Sequence, residues 1–152
     1  TRATQALGLE SCPIHVELML APVGPKIIEI GARLGGYRPR MYSYADGIDL
    51  YRGVLDTALG KQPFLHATRH NFSRVIELFP NREGAFFTVT ELNAIKKLPS
   101  LLHLQLASSG RRVGRAGQGY RASAVIILGS DHPETLESDY AFIRQQTVRV
   151  DP

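Results

Sequence analysis

Glu17 and Glu29 lie in two short runs, Ile14-His15-Val16-Glu17-Leu18 and Lys26-Ile27-Ile28-Glu29-Ile30, on either side of the stretch Ala21-Pro22-Val23-Gly24-Pro25. In the first run, alternation puts Ile14, Val16 and Leu18 on one face and His15 and Glu17 on the other. Turn residues between two such runs predict a β-hairpin. With Pro22, Val23 and Gly24 as the loop, Ala21 faces Pro25, Leu18 faces Ile28, Val16 faces Ile30 and Glu17 faces Glu29. The apolar residues of both strands then share one side, which supports this register. Directly opposed residues of an antiparallel pair have Cβ atoms about 4.5–5.5 Å apart. Two carboxylates at that separation repel unless something positive lies between them. A hard divalent cation answers this, and Mg²⁺ is commonly held by one or two carboxylates together with substrate phosphates. The plain alternative is a pair of solvated surface carboxylates that each reach a lysine or arginine.

The residues that follow favour the metal. Arg33 comes four positions after Glu29, and Gly35-Gly36 comes next. An arginine beside a metal-bound phosphate stabilises charge during transfer. Glycines let backbone N–H groups approach anionic oxygens closely. On these residues the segment resembles the end of the ATP-grasp module of carboxylate–amine ligases: His15-Val16-Glu17-Leu18, a turn, then Ile28-Glu29-Ile30-Gly31-Ala32-Arg33-Leu34-Gly35-Gly36. The resemblance implies Mg²⁺ bridging ATP phosphates on Glu17 and Glu29. It implies a catalytic Arg33 that faces the acyl-phosphate region and, with Gly35 and Gly36, borders the substrate. Many members of that family carry a metal-binding asparagine where this chain has Gly31. A small residue there is most similar to the L-amino-acid ligase branch, which joins an amino acid's carboxylate to an amine through an acyl phosphate. The stretches Ala45-Asp46-Gly47-Ile48-Asp49-Leu50 and Ala58-Leu59-Gly60 also resemble that branch, and the likeness weakens toward Val150.

The elements that position these residues are legible in part. Thr1 to Leu9 reads as the end of a helix stopped near Gly8, and Gly31 to Arg40 as a loop. Asp46 to Leu59 reads as a helix with Gly60 past its end. Strands are expected at Pro63–Thr68, Arg74–Phe79, Ala85–Val89, Leu101–Ala107 and Ala122–Leu128, with a short helical piece at Glu91–Leu98. Asp131 and Glu134 have capping-box spacing, Pro133 suits a first helical turn, and Leu136, Tyr140 and Ile143 share one helical face. Val148 to Val150 returns as an edge strand. The fold class expected is α+β: the C-terminal part of an ATP-grasp module, an antiparallel sheet plus helices over residues 1–61, then a small β-rich lobe over 62–152 that ends in a helix.

Composition narrows the function classes. The chain has 152 residues, 43% of them hydrophobic and 21% charged, as in ordinary globular proteins. No apolar run approaches the ~20 residues of a membrane helix. Cys12 is the one cysteine, so no internal disulfide forms, and a reducing, cytoplasmic setting fits. It has no evident base partner, which argues against a nucleophilic role. The net charge is +4. Arg111, Arg112, Arg115 and Arg121 surround a glycine-rich stretch that suits phosphate or nucleic acid. Tyr120 is the one aromatic nearby, so a solvated hairpin loop explains the stretch better and no nucleic-acid partner is expected. Gly114, Gly117 and Gly119 lack phosphate-loop spacing. His66 and His70 have helical metal-site spacing, but the region reads as extended and offers no third ligand. His15 shares a face with Glu17, which fits either a place at the border of the site or, more commonly, a structural histidine satisfied by its neighbours.

The chain opens Thr1-Arg2-Ala3 without methionine and is expected to be a C-terminal piece of a longer enzyme. The lysines and hinge that hold ATP in this family come earlier than the Glu17 motif. The intact parent is therefore expected to be an ATP- and Mg²⁺-dependent ligase of small-molecule carboxylates and amines, with the piece itself inactive. Homodimerisation is possible on this reading. The competing class is a non-catalytic binding or dimerisation module that retains the same fold.

Overall fold

The structure is a computed structural model that describes residues 2–108 and 110–150. The chain divides into two compact units, Thr1–Arg69 and His70–Pro152. It is α+β throughout, with antiparallel strand pairing.

The first unit opens with α1, Arg2–Ala6; Thr1 lies outside the described residues. Gly8 ends the helix at φ +63. The Leu9 N–H donates to the Thr4 carbonyl and the Gly8 N–H to the Gln5 carbonyl, the paired closure of a Schellman motif. Strands β1, His15–Ala21, and β2, Gly24–Gly31, form the expected hairpin. Val16 faces Ile30 and Glu17 faces Glu29, but Leu18 faces Ile27 rather than Ile28. The loop is Pro22–Val23, one residue shorter than expected, and a bulge at Ile28 takes up the difference. The two departures cancel at the glutamates.

Residues 31–40 do not remain a loop. Helix α2 runs Arg38–Ala45 with Pro39 in its first turn. Proline is tolerated there because the first N–H groups of a helix have no intrahelical acceptor. The next helix, α3, is Leu50–Ala58 and does not begin at Asp46. Gly47 at φ +72 breaks the path before it, and the Asp49 carboxylate caps it by accepting the Arg52 N–H at 2.9 Å. Gly60, at φ +69, closes it as Gly8 closes α1, with the Lys61 N–H on the Asp56 carbonyl. The stretch 63–68, expected as a strand, is irregular.

The second unit carries the core. It contains β3 (Phe72–Leu78), β4 (Phe87–Val89), α4 (Leu92–Ile95), β5 (Leu101–Leu106), β6 (Ala124–Ser130), α5 (Pro133–Arg144) and β7 (Val148–Val150). One sheet has the order β3-β6-β5; β4 pairs with β7. The central strand β6 is buried on both faces, which explains its unbroken apolar run. Ile76, Leu78, Ile126 and Leu128 pack with Leu136 and Ile143 of α5 and with Ile95. The α5 N-cap is His132, not Asp131, and it makes no side-chain capping bond, so the expected capping box does not form. Asp139, on the inner face of α5, accepts the Ser100 hydroxyl at 2.6 Å and the Ser100 N–H at 3.1 Å. Two arginines of the arginine–glycine loop are occupied within this unit: Arg112 pairs with Glu83 at 3.1 Å, and Arg115 donates to the Asn81 carbonyl. Glu83 also accepts a hydrogen bond from Tyr120, which holds that phenol above its usual range.

Candidate functional site

Strand pairing builds the site. In the antiparallel register Glu17 stands directly across from Glu29, so both side chains leave the same face of the hairpin. Both carboxylates are about half exposed. Each has a basic neighbour. The Arg33 guanidinium donates to Glu29 Oε1 at 3.1 Å, and His15 Nε2 lies 3.4 Å from Glu17 Oε1. The repulsion anticipated between the carboxylates is thus partly relieved within the chain, and a cation is not required to hold the hairpin together. Among the described residues, no group of three or more His, Cys, Asp or Glu side chains comes together as a metal site.

Arg33 reaches Glu29 because nothing stands at position 31. A Cβ on Gly31 would lie 3.3 Å from both Cγ and Nε of Arg33, closer than nine in ten real contacts. The guanidinium also donates to the Leu34 carbonyl at 3.3 Å. The glycine pair divides its roles. Gly35 is buried and Gly36 exposed. A Cβ on Gly35 would come within 2.5 Å of His15 Nδ1 and 2.9 Å of Arg38 Cγ. Gly36 has open space beside it.

His15, Glu17, Arg33, Gly35 and Gly36 line a depression of about 510 Å³ together with Leu34, Tyr37 and Arg38; Glu29 is not in its lining. Four of the lining residues, Glu17, Arg33, Gly35 and Gly36, are site residues expected from the sequence, which left His15 open between a border and a structural role. It missed Arg38, which it set in a loop. The signal available was Pro39 in a first helical turn after Gly35-Gly36; the Arg38 N–H donates to the Gly35 carbonyl at 2.9 Å and starts α2 there. Neither His66 nor Cys12 joins this set: His66 packs edge-on against Phe64, with ring centroids 5.3 Å apart, and Cys12 is a free thiol in an adjoining groove that shares His15, Glu17, Leu34, Gly35 and Arg38 with the depression.

No protein-family profile matches the chain. In sequence it is 26% identical over 106 residues to the uncharacterized protein y4rH of Sinorhizobium fredii (strain NBRC 101917 / NGR234), covering 69% of this chain and 22% of that protein. It is 40% identical over 65 residues to carnosine synthase 1 of Gallus gallus, covering 42% of this chain and 7% of that protein. In structure, 99% of the chain superposes on an L-amino acid ligase from Bacillus licheniformis with a TM-score of 0.80 and 21% identity, covering 39% of that protein. For the phosphoribosylglycinamide synthetase from Anaerococcus prevotii the TM-score is 0.72 at 16% identity, covering 99% of this chain and 40% of that one. The N5-carboxyaminoimidazole ribonucleotide synthetase from Thermotoga maritima gives 0.59 at 15% identity, covering 91% and 37%. The chain therefore has part of the fold of the ATP-grasp carboxylate–amine ligases. It spans about two fifths of the length of these solved structures and at most 22% of the two relatives found by sequence.

Proposed function

We propose that this chain is the metal-holding part of an ATP-dependent carboxylate–amine ligase that works through an acyl phosphate. The observation that carries the reading is Glu17 directly opposite Glu29 with Arg33 on Glu29. Two carboxylates with an adjacent guanidinium and glycine backbone form a set of hard oxygen donors and anion-binding groups. Mg²⁺ asks for such a set: one or two carboxylates, with phosphates and water completing its coordination. The residues present fit the cation, and Glu17 and Glu29 would hold it. Bound there, Mg²⁺ supplies neutralisation of the ATP phosphates.

The chain's own residues do the rest by positioning and charge. A substrate carboxylate oxygen attacks the γ-phosphorus of ATP, the bond to the bridging oxygen breaks, and ADP leaves. Arg33 faces the transferred phosphoryl group and stabilises its equatorial charge. The Gly35–Gly36 backbone borders the carboxylate and admits it closely. The amine nitrogen then attacks the acyl carbon, inorganic phosphate departs, and the nitrogen loses a proton to give the amide. The lysines that grip ATP belong to another part of the enzyme, so the 152-residue chain alone binds ATP weakly and does not turn over.

Glu29→Gln in the complete enzyme tests this. It keeps size and removes a charged ligand, and a turnover loss of roughly 10²-fold or more is expected at saturating Mg²⁺. Stability changes little, because the substitution relieves repulsion with Glu17 and gives up an exposed pair with Arg33 worth about 0–1 kcal/mol. Unchanged turnover would reduce the facing carboxylates to ordinary surface residues.

A further inference from the structure

The hairpin that carries the glutamates has little packed against it. Every buried hydrophobic residue described, from Ile76 to Val150, belongs to the second unit. On the hairpin face opposite Glu17, Leu18 is 51% exposed and Leu20 87%. Along β1 every residue from Val16 to Leu20 is exposed. The site face departs from this at His15, whose side chain is 18% exposed against 51% for Glu17.

The His15 ring lies between two parts of the site. Its Nε2 is 3.4 Å from Glu17 Oε1, and its Nδ1 edge fills the space that a Cβ on Gly35 would need. One rigid ring makes both contacts, so they do not move independently. Across the strand pair His15 stands opposite Gly31, so β2 sets no side chain against the ring. Glu29 is held differently. Its partner Arg33 has a side chain 54% exposed, and an exposed pair of that kind is weak and easily given up.

We infer that His15 is a positioning residue: it aims the Glu17 carboxylate before a cation arrives, and through Gly35 it ties the backbone bordering the substrate to the same ring. Glu17 is then the preset ligand. Glu29 is the adaptable one, and its release by Arg33 frees that guanidinium for the phosphoryl group. A carboxylate already aimed loses less freedom on coordination than one captured from solvent. Metal-binding side chains are commonly fixed by an outer partner, and removing such a partner costs about 10–100-fold in metal affinity. This rests on the metal reading of Glu17 and Glu29 proposed above.

Binding of Mn²⁺·ATP to the complete enzyme tests it, read by electron paramagnetic resonance with no carboxylate or amine substrate present. Mn²⁺ takes the same oxygen donors as Mg²⁺. His15→Phe keeps a ring against Gly35 and removes the nitrogen that faces Glu17. His15→Gln removes the ring and keeps an N–H donor for the carboxylate. The expected result is an affinity loss of about 10-fold or more in His15→Phe, most of it recovered in His15→Gln. Hydrogen exchange of the metal-free enzyme should separate the variants the other way. The Arg38 amide, bonded to the Gly35 carbonyl at 2.9 Å, keeps its protection in His15→Phe and exchanges faster in His15→Gln. Should the larger phenyl ring unfold the protein, His15→Ala against His15→Gln carries the same affinity comparison. Glu29→Gln is the reference, because it weakens binding if the two carboxylates hold the cation. Normal binding by His15→Phe beside weakened binding by Glu29→Gln overturns the positioning role alone. Equal losses in His15→Phe and His15→Gln also overturn it, since they would make His15 a packing residue only. Normal binding by all three variants removes the metal site itself, and the positioning role with it.

Discussion

Gly35 has no room for a side chain, because the His15 ring occupies the space a Cβ would need. The contact ties the glycine pair to the strand that carries Glu17. Gly35→Ala therefore pushes on His15 and, through it, on the neighbour of Glu17. Overpacking of this kind costs about 1–3 kcal/mol. In a double-mutant cycle, Gly35→Ala combined with His15→Ala should cost clearly less than the sum of the two single changes, read from hydrogen-exchange protection of β1. Additive costs would mean that the two residues do not press on each other. This contact was not legible in the sequence, since it joins positions 15 and 35 through a loop whose path no periodicity records. The opposition of Glu17 and Glu29 was legible, because a period of 2 and a short turn leave few registers. The reach of Arg33 to Glu29 was half legible: the spacing is visible, but the empty position at Gly31 that admits the arginine stem is a matter of packing.

At the scale of elements, helix ends follow local chemistry closely. Gly8 and Gly60 both adopt positive φ and both return two N–H groups to the last turn of their helices. Gly60→Ala keeps the backbone bonds but forces a Cβ into the left-handed region, and it should destabilise the end of α3 by about 1 kcal/mol. Fraying at Ala58 and Leu59 by hydrogen exchange is the measurement; unchanged protection would contradict it. Asp139 shows what element-level reasoning could not reach. The helical face of α5 was read correctly from Leu136, Tyr140 and Ile143, yet a carboxylate sits among them, buried, because Ser100 supplies two donors. Asp139→Ala leaves those donors without their acceptor and should cost about 1–3 kcal/mol, visible as a lower urea midpoint for the second unit. Helix α2 replaces the expected loop because Pro39 stands in its first turn, where the missing N–H costs no intrahelical bond. The strand expected over 63–68 falls in a stretch that pairs with no other strand.

For the whole molecule, uneven burial predicts uneven stability. The amides of β3, β5 and β6 should exchange slowly, at rates set by global opening of the second unit, while those of β1 and β2 should exchange orders of magnitude faster. Denaturation of the isolated chain should then fail two-state tests, with near-complete loss of hairpin signals before the β3-β6-β5 sheet unfolds. A single coincident transition by both probes would refute this. The bare hydrophobic face of β1 and β2 has a further meaning inside a cell. Chaperones and proteases recognise exposed apolar surface and continuously remove molecules that display it. A copy of this chain that leaves those side chains uncovered therefore displays a disposal signal on the same two strands that carry the glutamates.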